Sequence, residues 1–129
     1  MNREELKERT KNFALRIAKM ADALPKSPLG NTIRNQIIRS GTSVAANYRS
    51  TLRSRSDPEF ISKINIVIEE CDETLLWLEL IVESELLRKE KIELLHQEAN
   101  ELVSIFCSTQ KTLKQKKKNQ QSAIRNQQW

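Results

Sequence analysis

The sequence has few of the residues that sheets and tight turns require. It contains two glycines and three prolines in 129 residues, which is too few for the many turns of a multi-stranded sheet. Leucine, isoleucine, alanine, glutamate, lysine, arginine and glutamine dominate instead, and these residues favour helices. The composition therefore predicts an all-α protein, and the length leaves room for one domain.

Long apolar runs are also missing. The longest charge-free stretches, residues 40–48 and 102–110, are about half as long as the ~18 residues that indicate a membrane span. Residues 1–5 are polar and acidic and are not followed by an apolar segment, so the sequence predicts no secretory signal or transit peptide. We therefore expect a cytoplasmic protein with no part in a membrane.

Residues for metal or covalent chemistry are scarce. His96 is the only histidine, so the Glu93-x-x-His96 spacing lacks the second copy that a di-iron bundle needs. Cys71 and Cys107 lie on apolar helical stripes in a chain without an export signal, so we expect two buried thiols and no disulfide. Neither a glycine-rich phosphate loop nor a nucleophile elbow is present. The sequence thus predicts no metal, no cofactor and no enzymatic activity.

Hydrophobic periodicity predicts four helices. They are expected at residues 3–24, 32–54, 57–82 and 91–113. Helices of about 20 residues with short connections imply an antiparallel up-down-up-down four-helix bundle about 30 Å long. The apolar stripe of the third helix is wider than one partner helix could cover, which indicates burial on two sides.

Three local signals mark where these helices begin. Asn2 stands three residues before a glutamate in a capping box. Asn31 is the expected N-cap of the second helix, because the prolines and the glycine of residues 25–30 break the first one. Asp57 precedes a proline and is the expected N-cap of the third helix.

Basic and acidic residues are segregated along the chain. Residues 1–56 carry 12 lysines and arginines against 4 acids, residues 57–113 carry 5 against 13, and residues 114–129 carry 5 against none. The first two segments cancel, so the net charge of +5 resides in the last one. Segments of opposite charge attract within one chain or between copies, and a basic strip attracts phosphates.

Five arginines and no acid occur within residues 31–56. Because arginine is well shaped for bidentate phosphate contacts, we assign four of them to a candidate nucleic-acid surface. These are Arg39, Arg49, Arg53 and Arg55. An ordinary solvated basic face is the alternative. Some of these arginines are also expected to pair with acids, since Glu69 and Glu73 are like charges one turn apart and need a basic partner.

The last segment, residues 114–129, is rich in Gln and Asn and has almost nothing apolar to bury. The sequence therefore predicts a bundle over 1–113 followed by a disordered basic tail. The tail lysines are a second candidate for phosphate contact, with a merely solubilising end as the alternative. They are Lys114, Lys116, Lys117 and Lys118.

One string of residues carries a family resemblance. Arg39-Ser-Gly-Thr-Ser-Val-Ala-Ala-Asn-Tyr-Arg49 resembles the four-helix-bundle proteins related to those encoded in intervening sequences of large-subunit ribosomal RNA genes. Weaker similarities extend over about residues 10–113. They lie at 53–56, 60–63, 69–74, 77–80 and 98–102. At the level of fold, the chain is also similar to the accessory bundle of diversity-generating retroelements.

The resemblance implies a four-helix bundle that assembles into a ring-like homopentamer and has no known enzymatic activity. Small side chains in the quoted string let another helix backbone come close, so we assign it to the oligomer interface; packing within one chain is the alternative. The assigned interface residues are Gly41, Ser43, Asn47, Tyr48 and Trp77.

The predicted function is a non-enzymatic homo-oligomeric scaffold or adaptor that binds RNA or an RNA-handling protein. The alternative function is a protein–protein interaction module without nucleic-acid contact, in which the arginines only pair with acidic helices.

Overall fold

The computed structural model of the protein describes residues 1–127 and contains four long helices. They are α1 (Arg3–Ala21), α2 (Pro28–Leu52), α3 (Asp57–Glu83) and α4 (Glu93–Gln127), with a short 3₁₀ turn (Lys89–Lys91) before α4. The described residues form no strand. Short connections make consecutive helices antiparallel, and contacts join α1 to α2, α2 to α3, α3 to α4 and α4 to α1. The prediction of an all-α chain with four helices is confirmed.

Two of the three predicted helix starts differ from the structure. Asn2 caps α1 as expected, because its Oδ1 accepts the Glu5 N–H at 2.8 Å. Helix α2 is capped by Ser27, whose Oγ accepts the Gly30 N–H at 3.0 Å, and not by Asn31. Helix α3 is likewise capped by a serine, Ser56. In both helices a proline occupies the first turn, where its missing N–H costs nothing. The cap stands directly before Pro28 in α2 and two residues before Pro58 in α3.

The core is formed by large side chains from all four helices that solvent does not reach. The bulkiest are Phe13, Ile17, Ile33, Ile37, Ile64, Leu78, Ile81, Ile92, Leu102 and Phe106. Helix α1 approaches α2 closely at Gly41, where a Cβ would lie 2.8 Å from Cγ2 of Ile17. Between α2 and α3 the buried Thr74 hydroxyl donates to Ser40 Oγ at 2.8 Å. These two buried hydroxyls of the α2–α3 seam therefore bond to each other.

Arg34 closes the corner between α1 and α2. Its guanidinium group donates to the carbonyl oxygens of Ala21, Leu24 and Pro25. These carbonyls stand at and just beyond the end of α1, where no intrahelical donor remains. A second close contact lies in the same corner, since a Cβ on Gly30 would come within 2.0 Å of the Pro25 oxygen. Arg34, one of the five arginines of residues 31–56, thus has a structural role at this corner. We call this set of hydrogen bonds the Arg34 clasp.

Helix α4 extends well past the bundle. Leu113 is the last α4 side chain that packs against the core among the described residues, yet the helix continues to Gln127. Residues 114–127 are therefore helical where the sequence predicted disorder. Gln110 Nε2 donates to the Ile61 carbonyl at 3.3 Å, so in this antiparallel pair residue 114 lies level with the start of α3. Residues beyond 114 project past the bundle end.

None of the helices described has both the length and the apolar character that crossing a membrane requires.

Candidate nucleic-acid interface

Arg39, the first candidate phosphate ligand, is held by acids of α3. Its guanidinium group forms ion pairs with Glu70, at 3.0 Å, and with Glu73. The expected pairing of a basic residue of α2 with the acidic stretch of α3 therefore occurs, although the second acid is Glu70 and not Glu69. Glu69 instead accepts a hydrogen bond from Asn65 at 3.1 Å. Because two carboxylates already neutralise Arg39, we withdraw it from the candidate phosphate surface.

Arg49, Arg53 and Arg55 lie at the other end of α2 and in the connection to α3. All three are exposed, and within residues 1–127 their guanidinium groups form neither an ion pair nor a hydrogen bond. Glu59, the acid that contacts this connection, accepts the backbone N–H of Arg55 at 3.0 Å and pairs with Lys63 at 3.1 Å. These two donors lower the pKa of Glu59. The Glu59 carboxylate is thus already bonded to other groups, and the three arginine side chains are available to an external anion.

The lysines of the α4 extension lie at the same end of the bundle. Lys114, Lys116 and Lys118 are exposed, and Lys117 is partly covered. Since residue 114 is level with the start of α3, the connection that carries Arg53 and Arg55 lies beside the base of this extension. The fold therefore gathers at one end cations that are about 60 residues apart in sequence.

Arg9 forms an ion-pair network that sequence reasoning did not detect. It binds Glu98, at 2.5 Å, and Glu101, and so joins α1 to α4. Its hydrogen bonds to Glu98 raise the pKa of Arg9, and the same bonds lower the pKa of Glu98. No local pattern connects residues this far apart, so only the packing of α1 on α4 identifies the pair. Arg9 is accordingly a structural cation.

Two of the five predicted interface residues lie inside the chain's own core. Gly41 is buried against α1. Tyr48 is 3% exposed, and its ring centroid lies 5.4 Å from that of Phe106; burial raises the pKa of its hydroxyl. These two residues therefore pack within one chain, which is the alternative stated for this string. Neither has exposed surface left to contact a second copy.

The other three predicted interface residues retain some exposure. Asn47 donates to the Ser43 carbonyl at 2.9 Å along the α2 surface, and both are half-buried. Trp77 is also half-buried, and its Nε1 is shielded from solvent with no hydrogen-bond partner within the described chain. Buried indole N–H groups usually find a partner. An unsatisfied donor at a half-exposed residue is consistent with an acceptor from outside the chain.

The cysteines differ from the expected pair of buried thiols. Cys71 is buried, and burial raises the pKa of its thiol to about 12. Cys107 is exposed, because it lies one residue past Phe106 and one residue turns a helix by about 100°. Neither forms a disulfide. The structure thus contains one shielded and one accessible thiol.

His96 lies on a groove between α3 and α4. Its Nε2 is 3.6 Å from a carboxylate oxygen of Glu79, and its Nδ1 is 3.3 Å from the Asn100 side chain. The groove has a volume of about 260 Å³ and an apolar floor that includes Leu78 and Ile92. Among residues 1–127 no three histidine, cysteine or acidic side chains come close enough together to hold a metal ion. The region therefore offers no metal centre around His96.

Comparison with known proteins supports the resemblance seen in the sequence. A solved crystal structure of a protein of unknown function from the S23 ribosomal protein family of Bacteroides thetaiotaomicron is 33% identical to this chain. The match covers 81% of this chain and 97% of that one, with a TM-score of 0.76. A search of curated proteins finds no match. The family model of the 23S rRNA-intervening sequence protein matches residues 3–108. Since that match includes residues of all four helices and most of the chain, the chain belongs to the 23S rRNA-intervening sequence protein family.

Proposed function

We propose that the protein is a non-enzymatic, homo-oligomeric helical-bundle scaffold that binds RNA through the basic end of the bundle. The observation that carries this proposal is the set of exposed arginines Arg49, Arg53 and Arg55 beside the lysines of α4, with no acid of the described chain paired to the three guanidinium groups. Arg39 is not part of the proposed surface.

The positive charge at this end of the bundle favours binding of RNA. Cations that no internal acid neutralises attract a phosphate backbone and release its counterions, which gives affinity without sequence preference. The family description itself refers to 23S rRNA, which agrees with a nucleic-acid partner.

Assembly is the second part of the proposal. The outward side of α3 exposes Ile66 by 42% and Leu76 by 49%, and the unsatisfied indole N–H of Trp77 lies on the same helix. A second copy that covers these residues would bury apolar surface and could supply the missing acceptor. We propose the ring-like homopentamer that the resemblance implies, with Ser43, Asn47 and Trp77 kept as interface residues.

RNA binding is tested with a matched pair of triple variants. One is Arg49→Gln/Arg53→Gln/Arg55→Gln, and the control replaces Lys19, Lys26 and Lys91 by glutamine, which removes the same charge at the opposite end of the bundle. Fluorescence anisotropy with a structured RNA is measured across a salt series. If each arginine neutralises one phosphate, the arginine variant should lower the slope of log K against log salt by about 2 to 3. Equal slopes for the two variants would contradict the proposal.

Assembly is tested by molar mass. Light scattering or native mass spectrometry of the full chain at micromolar concentration should report a multimer, and Trp77→Asp should shift it toward the monomer. A control charge at Ser104, an exposed residue of α4, should leave the mass unchanged. A monomeric wild-type protein would refute the scaffold.

The protein–protein module without nucleic-acid contact is the second candidate. The pairing of Arg39 with Glu70 and Glu73 favours it, because this arginine behaves as that function requires. A wild-type multimer that binds no RNA at about 50 mM salt, where phosphate contacts are strongest, would establish it over the RNA scaffold.

A further inference from the structure

The helical form of residues 114–127 gives the α4 cations an order that a disordered tail would lack. Four of these cations are separated from one another by three, four and seven residues along the chain. They are Lys111, Lys114, Lys118 and Arg125. At about 100° per residue they fall within roughly 60° of one another around the helix axis. Lys116 points to the opposite side by the same reckoning. The extension therefore has one basic stripe, which we call the α4 stripe and define by these four residues.

The position of the α4 stripe follows from the packing of α3 and α4. Lys114 stands one turn after Gln110, which bonds the Ile61 carbonyl and the Asn65 side chain of α3. At about 100° per residue, Lys114 lies about 40° and Lys111 about 100° around the helix from Gln110, so the stripe flanks the side of α4 that faces α3. The start of α3, and with it the connection that carries Arg53 and Arg55, lies at the level of residue 114. From Lys111 to Arg125 the helix rises about 21 Å.

Nothing in the neighbouring sequence neutralises the α4 stripe. Glu101 is the last acid of the chain, so residues 102–129 contain no carboxylate side chain. Lys111, Lys114, Lys118 and Arg125 are all exposed, and within residues 1–127 none of them forms an ion pair. Four of the eleven side chains between them are glutamine or asparagine, whose amides donate hydrogen bonds to phosphate oxygens.

The geometry points to the α4 stripe, continued by Arg53 and Arg55, as a track that binds the phosphate backbone of double-stranded RNA. This inference rests on the proposed RNA-binding function and specifies its ligand class. A rigid row of cations matches a regular row of phosphates, which a duplex presents and a flexible acidic protein does not. The deep groove of an RNA duplex excludes a helix, so contact falls on the backbone. Residues 107–127 contain no aromatic side chain for stacking unpaired bases, and the one aromatic residue that follows them, Trp129, lies outside the described residues.

Two double variants with the same charge test the α4 stripe. Lys114→Gln/Lys118→Gln removes two stripe residues, and Lys116→Gln/Lys117→Gln removes their neighbours. Binding of the full-length protein to a blunt RNA duplex of about 20 base pairs is measured across a salt series. The stripe variant should lower the salt slope by about 2, and the neighbouring pair should lower it by less than half as much.

Each outcome separates the inference from the function on which it rests. Equal effects of the two pairs would overturn the stripe, because an unordered tail uses all its lysines alike, while leaving RNA binding intact. Failure of the wild-type protein to bind any RNA would overturn both. Labelled polyglutamate is the third probe: if it binds as tightly as the duplex and responds to the stripe variant in the same way, the track serves an acidic protein and the duplex proposal is wrong.

Discussion

The Arg34 clasp should be a main source of stability at the α1–α2 corner. Arg34→Ala removes four hydrogen bonds from a charged donor, three to the carbonyls of Ala21, Leu24 and Pro25 and one to Asn31 Oδ1. The Leu24 carbonyl loses its donor, whereas the Ala21 and Pro25 carbonyls keep the backbone N–H groups of Leu24 and Ser27. A hydrogen bond that involves a charged group contributes about 1.5–3 kcal/mol. A cation at a helix C-terminus adds about 0.3–1 kcal/mol. Because the Pro25 bond is exposed and the contributions are not additive, we expect a loss of about 2–3 kcal/mol.

The measurement is urea unfolding followed by circular dichroism, with every variant at the same protomer concentration because assembly adds to apparent stability. Arg49→Ala is the matched control, since it deletes an exposed arginine of the same helix that bonds to nothing within the described chain; it should change the unfolding free energy by no more than about 0.5 kcal/mol. Arg34→Lys should recover part of the loss, because lysine keeps the charge but lacks the planar fork. If Arg34→Ala and Arg49→Ala unfold at the same urea concentration, the clasp contributes nothing and the reasoning fails.

Three further predictions concern packing, pH and thiol chemistry. Gly41→Val should destabilise the protein by at least about 2 kcal/mol in the same assay, because even a Cβ would lie 2.8 Å from a fully buried side chain; an unchanged midpoint would show that the helices can separate. The pKa of Glu98 is lowered from 4.5 by Arg9, so the stability from this pair is present above that value and lost as the pH falls through the folded-state pKa. The drop in urea midpoint on acidification should therefore be smaller in Arg9→Gln than in the wild type, and equal drops would contradict the linkage. A thiol reagent near pH 8 should modify Cys107 and spare Cys71 until urea is added, so two fast-reacting thiols in the native protein would refute the burial of Cys71.

The helices themselves were predictable because their signals are local. The apolar periodicity predicted four segments, and the capping box at Asn2 marked the first start correctly. The start of α2 was wrong because the prolines of residues 25–30 were interpreted only as breakers, although a serine before Pro28 is itself a start signal. The extension after Leu113 was expected to be disordered because it has little to bury. Its backbone hydrogen bonds are internal, however, and lysine and glutamine are good helix formers.

The sequence by itself determined where helices form and how charge is divided along the chain, since both depend on neighbouring residues. It also carried the family resemblance, which the match over residues 3–108 confirms. Only the tertiary structure decided which basic side chains are paired with an acid. Arg39 meets Glu70 and Glu73, and Arg9 meets Glu98, because particular helix faces pack in a particular register. Such contacts join residues up to 92 positions apart, as in the pair of Arg9 and Glu101. Composition cannot separate a paired arginine from an exposed one, because the difference lies in a partner that only packing brings within reach.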